Sequence, residues 1–131
     1  MMKSSLTAVV AGIIKHNGHY LITKRFENSH LGGMWEFPGG KIMKGESEKT
    51  ALKRELKEEV GINCSIGELV YKTNYHYPDL SINIKFYQCK LLSGEPKPLE
   101  CAAVKWIKSS KFSQYEFPPS DIKLIEMLSI G

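Results

Sequence analysis

The chain has 131 residues, of which 42% are hydrophobic and 24% are charged, and its formal net charge is +4. These values are ordinary for one soluble globular domain and exclude a disordered, collagen-like or coiled-coil protein. The charge is too small to favour duplex DNA but suits a small anionic ligand, and no apolar run approaches the about 18 residues that a membrane span needs, so we expect no nucleic-acid or membrane partner.

The N-terminal third favours β-structure. The predicted strands cover residues 7–15, 19–24 and 35–37, with a polar loop at 26–34. Asn17-Gly18 is a hairpin turn signal between the first two strands, and Pro38-Gly39-Gly40 should stop the third. The first apolar run resembles a short signal peptide, but it continues through Lys15 and His16 into the hairpin turn. A buried strand explains it better.

The middle of the chain predicts one amphipathic helix, Glu48–Val60. Its apolar residues recur at helical spacing: Ala51, Leu52, Leu56 and Val60. Ser47 is placed to cap its N-terminus, and Gly61 should end it.

The second half of the chain again favours β-structure, followed by a helix. Strands are predicted at 66–72, 74–77, 81–92 and 104–107, with turns at 78–79 and 93–96. A C-terminal helix should follow Pro118-Pro119, at about 120–128. The order of strands, helix, strands, helix predicts an α/β fold with a mixed sheet and helices packed on it.

Three scattered cysteines, Cys64, Cys89 and Cys101, lack any metal-binding spacing. We interpret them as reduced thiols, as is usual in a cytoplasmic protein.

The predicted helix carries three glutamates within a single turn. Glu55, Glu58 and Glu59 are spaced i, i+3 and i+4, so they share one face. Carboxylates this close repel one another unless a cation lies among them, and oxygen donors suit Mg²⁺ or Mn²⁺.

A solvated charged face is the competing interpretation, and the helix also has lysines. These lysines lie on another side of the helix, at positions Lys49, Lys53 and Lys57. We therefore expect the glutamates to have no compensating neighbour at i±4. On spacing alone the two interpretations are evenly matched.

The glutamates belong to a longer pattern. It begins at Gly40, reaches Glu46 after five residues and Arg54-Glu55 after seven more, and ends with Glu58-Glu59 and Gly61-Ile62. This pattern resembles the Nudix box, Gly-x5-Glu-x7-Arg-Glu-aliphatic-x-Glu-Glu-x-Gly-aliphatic, at every fixed position. The resemblance implies a single Nudix domain over 1–131, with the box at 40–62 and a mixed β-sheet sandwiched between helices.

Outside the box, the chain is similar to MutT-type members of this family, which cleave nucleoside triphosphates to a monophosphate and pyrophosphate. The similarity extends to Glu100, six residues before Trp106, and to the segment 117–121. It implies that substrate is bound by Arg25, His30, Glu36, Phe37, Pro38, Gly39 and Asp121. The implied reaction depends on Mg²⁺, with Mn²⁺ as a substitute, and sanitises oxidised nucleotides such as 8-oxo-dGTP.

The chemistry and the resemblance together assign roles within the box. Glu55, Glu58 and Glu59 are the expected metal ligands, and the resemblance adds the Gly39 carbonyl and Glu100. Glu55 or a neighbour such as Glu58 should orient or deprotonate the attacking water. A structural ion pair between Arg54 and Glu46 should close the loop onto the helix.

Two departures from the MutT type bear on the substrate. Asp121 stands where the MutT type has asparagine, and in this the chain resembles the related CTP pyrophosphohydrolases, which have an acidic residue there. Leu80 stands where the MutT type has arginine. An ionised aspartate only accepts hydrogen bonds and would favour amino or ring N–H groups. Alternatively, Asp121 merely caps the C-terminal helix. Trp35, Phe37 and Tyr75 are candidates for stacking a base or for core packing.

Three other functions stay open. One is a hydrolase of another nucleoside diphosphate derivative, such as ADP-ribose or a dinucleoside polyphosphate. A second is a CTP pyrophosphohydrolase, and a third is a Nudix-fold sensor that binds a nucleotide without cleaving it. The sequence does not distinguish a monomer from a homodimer.

Overall fold

The structure is a computed structural model that describes residues 6–130. In this range seven strands form one mixed sheet: β1 Thr7–His16, β2 His19–Lys24, β3 Trp35–Glu36, β4 Gly39–Lys41, β5 Asn63–Tyr77, β6 Leu80–Ser93 and β7 Ala103–Ile107. The helices are α1, Glu48–Val60, and α2, Ile122–Ile130. Two short 3₁₀ segments are also present, at Ser109–Gln114 and Pro119–Asp121.

The strand order is β3-β2-β1-β6-β5, with β4 paired to β1 and β7 paired to β2. β1 and β6 are parallel, and the other pairs are antiparallel. Because Thr7, the first residue of β1, lies opposite Ile82, the tip of the β5–β6 hairpin extends past the start of β1. The hairpin tip can therefore help to form a site at that end of the sheet.

Alternation along β1 shows how the sheet divides the core. Val10 and Ile14 pack on the side of α1, and Ala11 and Ile13 pack on the opposite side with Leu124 of α2. Successive residues of a strand point to opposite faces, so one strand serves both cores. The predicted α/β fold, a mixed sheet sandwiched between helices, is confirmed.

Local signals define the two ends of α1. The Ser47 hydroxyl accepts a hydrogen bond from the Thr50 N–H at 3.1 Å, so the predicted N-cap is confirmed. Gly61 ends the helix with φ of 73°, and its N–H donates to the Lys57 carbonyl at 3.0 Å. A side chain at this φ would be strained, which explains the glycine.

Glu48 joins the first turn of α1 to the sheet. Its carboxylate accepts hydrogen bonds from the Lys85 ammonium at 2.5 Å and from the Tyr87 hydroxyl, both on β6. These contacts lower the pKa of Glu48. The helix that carries the Nudix box is thus fixed to the strand paired with β1.

The structure differs from the predicted elements in four places. The third strand ends before Pro38, as predicted, but Gly39–Lys41 then forms a further strand, β4, since its backbone pairs with β1. The two strands predicted at 66–72 and 74–77 are one strand, β5, because β6 pairs with both parts across small irregularities. The C-terminal helix begins at Ile122, after the 3₁₀ segment Pro119–Asp121, and the 3₁₀ segment Ser109–Gln114 was not predicted.

All three cysteines are free and buried. Among residues 6–130, no helix is both long and apolar enough to cross a membrane.

Candidate active site

A cavity of about 580 Å³ lies where β4, the loop after β2, the tip of the β5–β6 hairpin and the segment before α2 meet. Its wall includes Glu55 of the box and six of the seven predicted substrate-binding residues, namely Arg25, His30, Glu36, Phe37, Gly39 and Asp121. Pro38, the seventh, has a fully buried side chain and is not part of the wall. The other predicted catalytic and metal-binding residues also lie off the wall: Glu46, Arg54, Glu58, Glu59 and Glu100.

Arg54 connects the loop before α1 to the glutamates of the helix. Its Nε and Nη2 donate to both carboxylate oxygens of Glu46, at 2.7 and 2.9 Å. Its Nη1 donates to Oε1 of Glu55 at 2.9 Å and to Oε1 of Glu58 at 3.0 Å, and Nη2 also reaches the Lys41 carbonyl. The predicted ion pair between Arg54 and Glu46 is therefore present, and hydrogen bonds from Arg54 lower the pKa of Glu46 to about 2.

The contact between Arg54 and Glu58 corrects one expectation. Glu58 lies four residues after Arg54, so the glutamates do have a compensating neighbour at i±4. The expectation was wrong because it considered only the lysines, whereas the guanidinium can contact several carboxylates at once.

Removing the Arg54 side chain should reduce both activity and stability. Arg54→Ala leaves Glu46 without its bidentate partner and frees Glu55 and Glu58 to move. We expect kcat to fall about tenfold or more, since small displacements of catalytic groups are costly, and Tm to fall in the same variant. The measurements are steady-state kinetics and thermal melting, with Lys53→Ala on the exposed side of α1 as the matched control. Equal Tm values for the two variants would show that the ion pair contributes nothing to folding.

Glu59 is the most deeply buried of the four glutamates that are predicted to bind a metal ion. Its Oε1 accepts a hydrogen bond from the Gly39 N–H at 2.9 Å. Burial, with added repulsion from Glu36 and Glu55, raises the pKa of Glu59 to about 8. Without a cation, this carboxyl is therefore mostly protonated at neutral pH.

Glu55 and Glu100 belong to the same electrostatic cluster. Burial raises the pKa of Glu55, and the charges of Glu58 and Glu100 raise it further, whereas Arg54 opposes the shift. Glu100 is held near the end of α1 because its N–H donates to the Glu59 carbonyl at 3.0 Å. The structure thus brings together carboxylates from two separate parts of the chain.

The glycine pair of β4 permits a close approach to both β1 and α1. A Cβ atom at Gly39 would lie 2.0 Å from the Val10 carbonyl oxygen, and one at Gly40 would lie 1.7 Å from Oε2 of Glu55. Any side chain at these positions would push β4 away from its neighbours. The space at Gly40 is therefore kept for the carboxylate of Glu55.

The chemistry of the donors fits a hard divalent cation. Glu55, Glu58, Glu59, Glu100 and the Gly39 carbonyl offer oxygen atoms alone, as Mg²⁺ and Mn²⁺ prefer. Among residues 6–130, however, no three carboxylate, imidazole or thiol side chains are already grouped as a metal site. Oε1 of Glu55 and Oε1 of Glu58 accept hydrogen bonds from Arg54, and Oε1 of Glu59 accepts one from the Gly39 N–H. The second carboxylate oxygen of each glutamate lies outside these contacts.

Arg25 is held in place by residues of the cavity wall. Its Nη1 donates to both carboxylate oxygens of Glu36, at 3.0 and 3.2 Å, and its Nε donates to the His30 carbonyl at 2.6 Å. Burial still raises the pKa of Glu36, despite the opposing effect of Arg25. Arg25 thus fastens the loop after β2 to β3.

His30 joins this loop to the tip of the β5–β6 hairpin. Its Nδ1 lies 2.8 Å from Oδ2 of Asp79, and its ring meets the Tyr77 ring edge-on at 4.9 Å between centroids. Its Nε2 is buried and has no hydrogen-bond partner among the described residues. The hairpin tip and the loop therefore close one end of the cavity together.

Asp121 is a buried carboxyl on the cavity wall, with 3% of its surface exposed. Burial raises its pKa to about 7, with a further rise from Glu36 and opposing effects from Ser120 and Arg25. Its Oδ1 accepts a hydrogen bond from the Ser120 hydroxyl at 2.9 Å. It lies in the 3₁₀ segment ahead of α2.

The aromatic candidates have different surroundings. Phe37 packs in the core against Phe117 and other rings, and it also lines the cavity. Trp35 packs edge-on against Tyr115, and neither Trp35 nor Tyr75 lines the cavity.

Sequence reasoning missed four polar wall residues, Thr7, Lys41, Tyr77 and Ser120, of which the last two contact each other. The available signal for these two was their position beside Pro78 and Asp121, but strand alternation does not show that the hairpin tip reaches the segment before α2.

Comparison with known proteins agrees with this architecture. The NUDIX domain family model matches residues 9–127. The 8-oxo-dGTP diphosphatase of Haemophilus influenzae is 37% identical over 97% of this chain and 94% of that protein. The CTP pyrophosphohydrolase of Escherichia coli is 36% identical over 90% of this chain and 87% of that protein. The crystal structure of the MutT protein from Methanosarcina mazei Go1 has a TM-score of 0.87 at 24% identity, covers 99% and 97% of the two chains, and bears on the fold alone.

An amphipathic helix with three glutamates on one face, beside a cavity and on a mixed sheet between helices, is the arrangement of a Nudix-type hydrolase. The chain belongs to the Nudix family.

Proposed function

We propose that the chain hydrolyses nucleoside triphosphates to a monophosphate and pyrophosphate, with Mg²⁺ as the cofactor and Mn²⁺ as a substitute. The observation that carries the proposal is that one cavity is lined both by Glu55 of the box and by the buried Asp121. The first suits polyphosphate chemistry, and the second suits recognition of a polar base edge. The names of the 8-oxo-dGTP and CTP relatives support the same class of substrate.

The residues of the box have three proposed roles at the phosphates: binding the cation, activating the attacking water and positioning the glutamates. A bound divalent cation would neutralise phosphate oxygens and polarise the phosphorus centre. Its proposed ligands are Gly39, Glu55, Glu58, Glu59 and Glu100. Glu55, whose pKa is raised, is suited to orient the attacking water and accept its proton. Arg54 holds Glu55 and Glu58 relative to Glu46.

Substrate binding is proposed for the other wall residues. Arg25, fixed by Glu36, presents a positive charge to a phosphate, while His30, Phe37 and Gly39 shape the cavity around the nucleoside. Pro38, buried behind the wall, is proposed to support Phe37 and Gly39. Asp121 accepts a hydrogen bond from an amino or ring N–H group of the base. An acceptor at this position favours cytosine as a second candidate base beside 8-oxoguanine.

Asp121→Asn should change base preference. Asparagine adds a donor, so kcat/KM for CTP should fall relative to 8-oxo-dGTP by about 1–3 kcal/mol, or about 5- to 150-fold. Below pH 7 the protonated aspartic acid also offers a donor. The effect of the substitution should therefore grow as the pH rises through the Asp121 pKa of about 7.

The measurement is kcat/KM for both nucleotides at pH 6 and pH 8.5, with Glu126→Gln on the exposed face of α2 as the charge-matched control. If Asp121→Asn leaves every ratio unchanged, Asp121 does not contact the base and serves only the start of α2.

A hydrolysis panel tests the proposed function as a whole. It contains 8-oxo-dGTP, dGTP, CTP, ADP-ribose and a dinucleoside polyphosphate, each with Mg²⁺. We expect the highest kcat/KM among the triphosphates. Preference for ADP-ribose or the dinucleotide would replace the proposed substrate class, and tight binding of a triphosphate without turnover would identify a sensor.

A further inference from the structure

Tyr77 is connected to Asp121 by a directed series of hydrogen bonds. The Tyr77 hydroxyl donates to the Ser120 hydroxyl at 3.1 Å and accepts from the Ser120 N–H at 3.2 Å. The Ser120 hydroxyl in turn donates to Oδ1 of Asp121 at 2.9 Å. An ionised Asp121 can only accept, so Ser120 donates its one hydroxyl proton to it, and the proton between Tyr77 and Ser120 is then donated by Tyr77.

We propose that Tyr77 is a positioning residue for base selection, which acts by holding Asp121 through Ser120. This inference rests on the proposed function, because it assumes that a nucleobase occupies the cavity beside Asp121. It assigns a role to a residue on β5, more than forty positions away in the chain from the group it orients.

The segment before α2 depends on this contact for its position. Pro118 and Pro119 have no N–H group, so Ser120 provides the first backbone donor after them, and it is used on Tyr77. The Asp121 N–H donates back to the Pro118 carbonyl at 2.9 Å, within the segment itself. The Tyr77 hydroxyl therefore ties this turn to β5, while the Trp35 N–H, which donates to the Glu116 carbonyl at 2.8 Å, fixes the chain just before it to β3.

The contact also determines which oxygen of Asp121 is available. Ser120 and Asp121 are both buried, with 5% and 3% of their surfaces exposed, and both line the cavity. Because Oδ1 accepts from Ser120, Oδ2 remains for a ligand. Without the series, the carboxyl could rotate and present either oxygen, so its selectivity between base edges would fall.

Loss of the Tyr77 hydroxyl can be separated from loss of its ring. The ring contacts His30 edge-on at 4.9 Å and lies 4.6 Å from the Tyr75 ring. Phenylalanine keeps these contacts. Tyr77→Phe therefore removes the hydrogen bonds to Ser120 and leaves the packing of the hairpin tip in place.

The test compares kcat and KM of Tyr77→Phe for CTP and 8-oxo-dGTP with Mg²⁺. For the nucleotide that the wild type prefers, KM should rise about 3- to 10-fold, as expected for one or two lost hydrogen bonds, and its advantage in kcat/KM should shrink by a similar factor. Since the phosphate end is untouched, kcat should change less than about twofold. Tyr71→Phe is the matched control, because Tyr71 is on the same strand, packs on Phe86 and does not line the cavity.

Two further variants locate the effect. Ser120→Ala should reproduce the loss of preference, and Tyr77→Phe should have no further effect on preference in an Asp121→Asn background, because coupled residues are not additive. Equal losses for both nucleotides, a lower Tm with unchanged preference, or full additivity with Asp121→Asn would each refute the inference. If wild-type protein releases no pyrophosphate from any triphosphate, the proposed function fails and this inference with it. Pyrophosphate release with unchanged preference in Tyr77→Phe refutes the inference alone.

Discussion

Glu59→Gln should lower kcat by about 100-fold or more while the protein stays folded. The glutamine carbonyl can still accept the hydrogen bond that Gly39 donates to Oε1. What is lost is the negative charge proposed to bind the cation. Steady-state kinetics at saturating Mg²⁺ measure the effect, and Glu68→Gln on the exposed part of β5 is the control for loss of a charge. A variant that keeps most of its activity would show that the proposed metal-binding face of α1 is wrong.

The same variant has a predicted effect on stability without metal. The folded-state pKa of Glu59 is about 8, well above the ordinary glutamate value of 4.5. For an acid with a raised pKa, the folded state loses stability as the pH rises from the unfolded value to the folded value. Glutamine has no charge to bury, so in chelator Glu59→Gln should melt at the wild-type temperature or higher. The difference should grow as the pH rises from 4.5 and reach its full size above pH 8.

Removal of divalent cations should abolish turnover. The charge of Glu55 is opposed by those of Glu58 and Glu100, and Glu55 in turn disfavours the ionised form of Glu59. A polyphosphate substrate would add further negative charge. We expect at least a 100-fold loss of activity in excess EDTA and recovery when Mg²⁺ or Mn²⁺ is added in excess of the chelator. Mg²⁺ should also raise Tm, because an ion that binds only the folded state stabilises it.

The control for chelation is EDTA that has been saturated with Mg²⁺ beforehand, which should leave activity unchanged. Full turnover of a nucleoside triphosphate in excess chelator would contradict a metal-dependent mechanism.

The elements that the sequence predicts well are those with local causes. Helix α1 begins at the Ser47 cap and ends at Gly61, and its apolar residues face the sheet as their spacing predicts. The pairing of Arg54 with Glu46 is likewise contained within one loop and one helix. In these cases the partners are close in the chain, so the pattern of residue types is sufficient.

The elements that it misses depend on contacts between distant parts of the chain. Gly39–Lys41 is a strand only because β1 lies beside it, and glycine next to proline otherwise indicates a turn. Tyr77 reaches Ser120 because of the length and register of the β5–β6 hairpin. Neither the register nor the position of the segment before α2 is encoded in a short pattern, so residue types alone could not place Tyr77 in the site.

Analysis of the products of triphosphate hydrolysis tests the proposed reaction most directly. Purified protein is incubated with Mg²⁺ and its preferred nucleoside triphosphate, and the products are resolved by ion-exchange chromatography and phosphorus NMR. The proposed reaction predicts one nucleoside monophosphate and one pyrophosphate for each triphosphate consumed, and Glu59→Gln should release about 100-fold less product or lower still over the same time. Release of orthophosphate together with a nucleoside diphosphate, or an equal yield of products from Glu59→Gln, would contradict it.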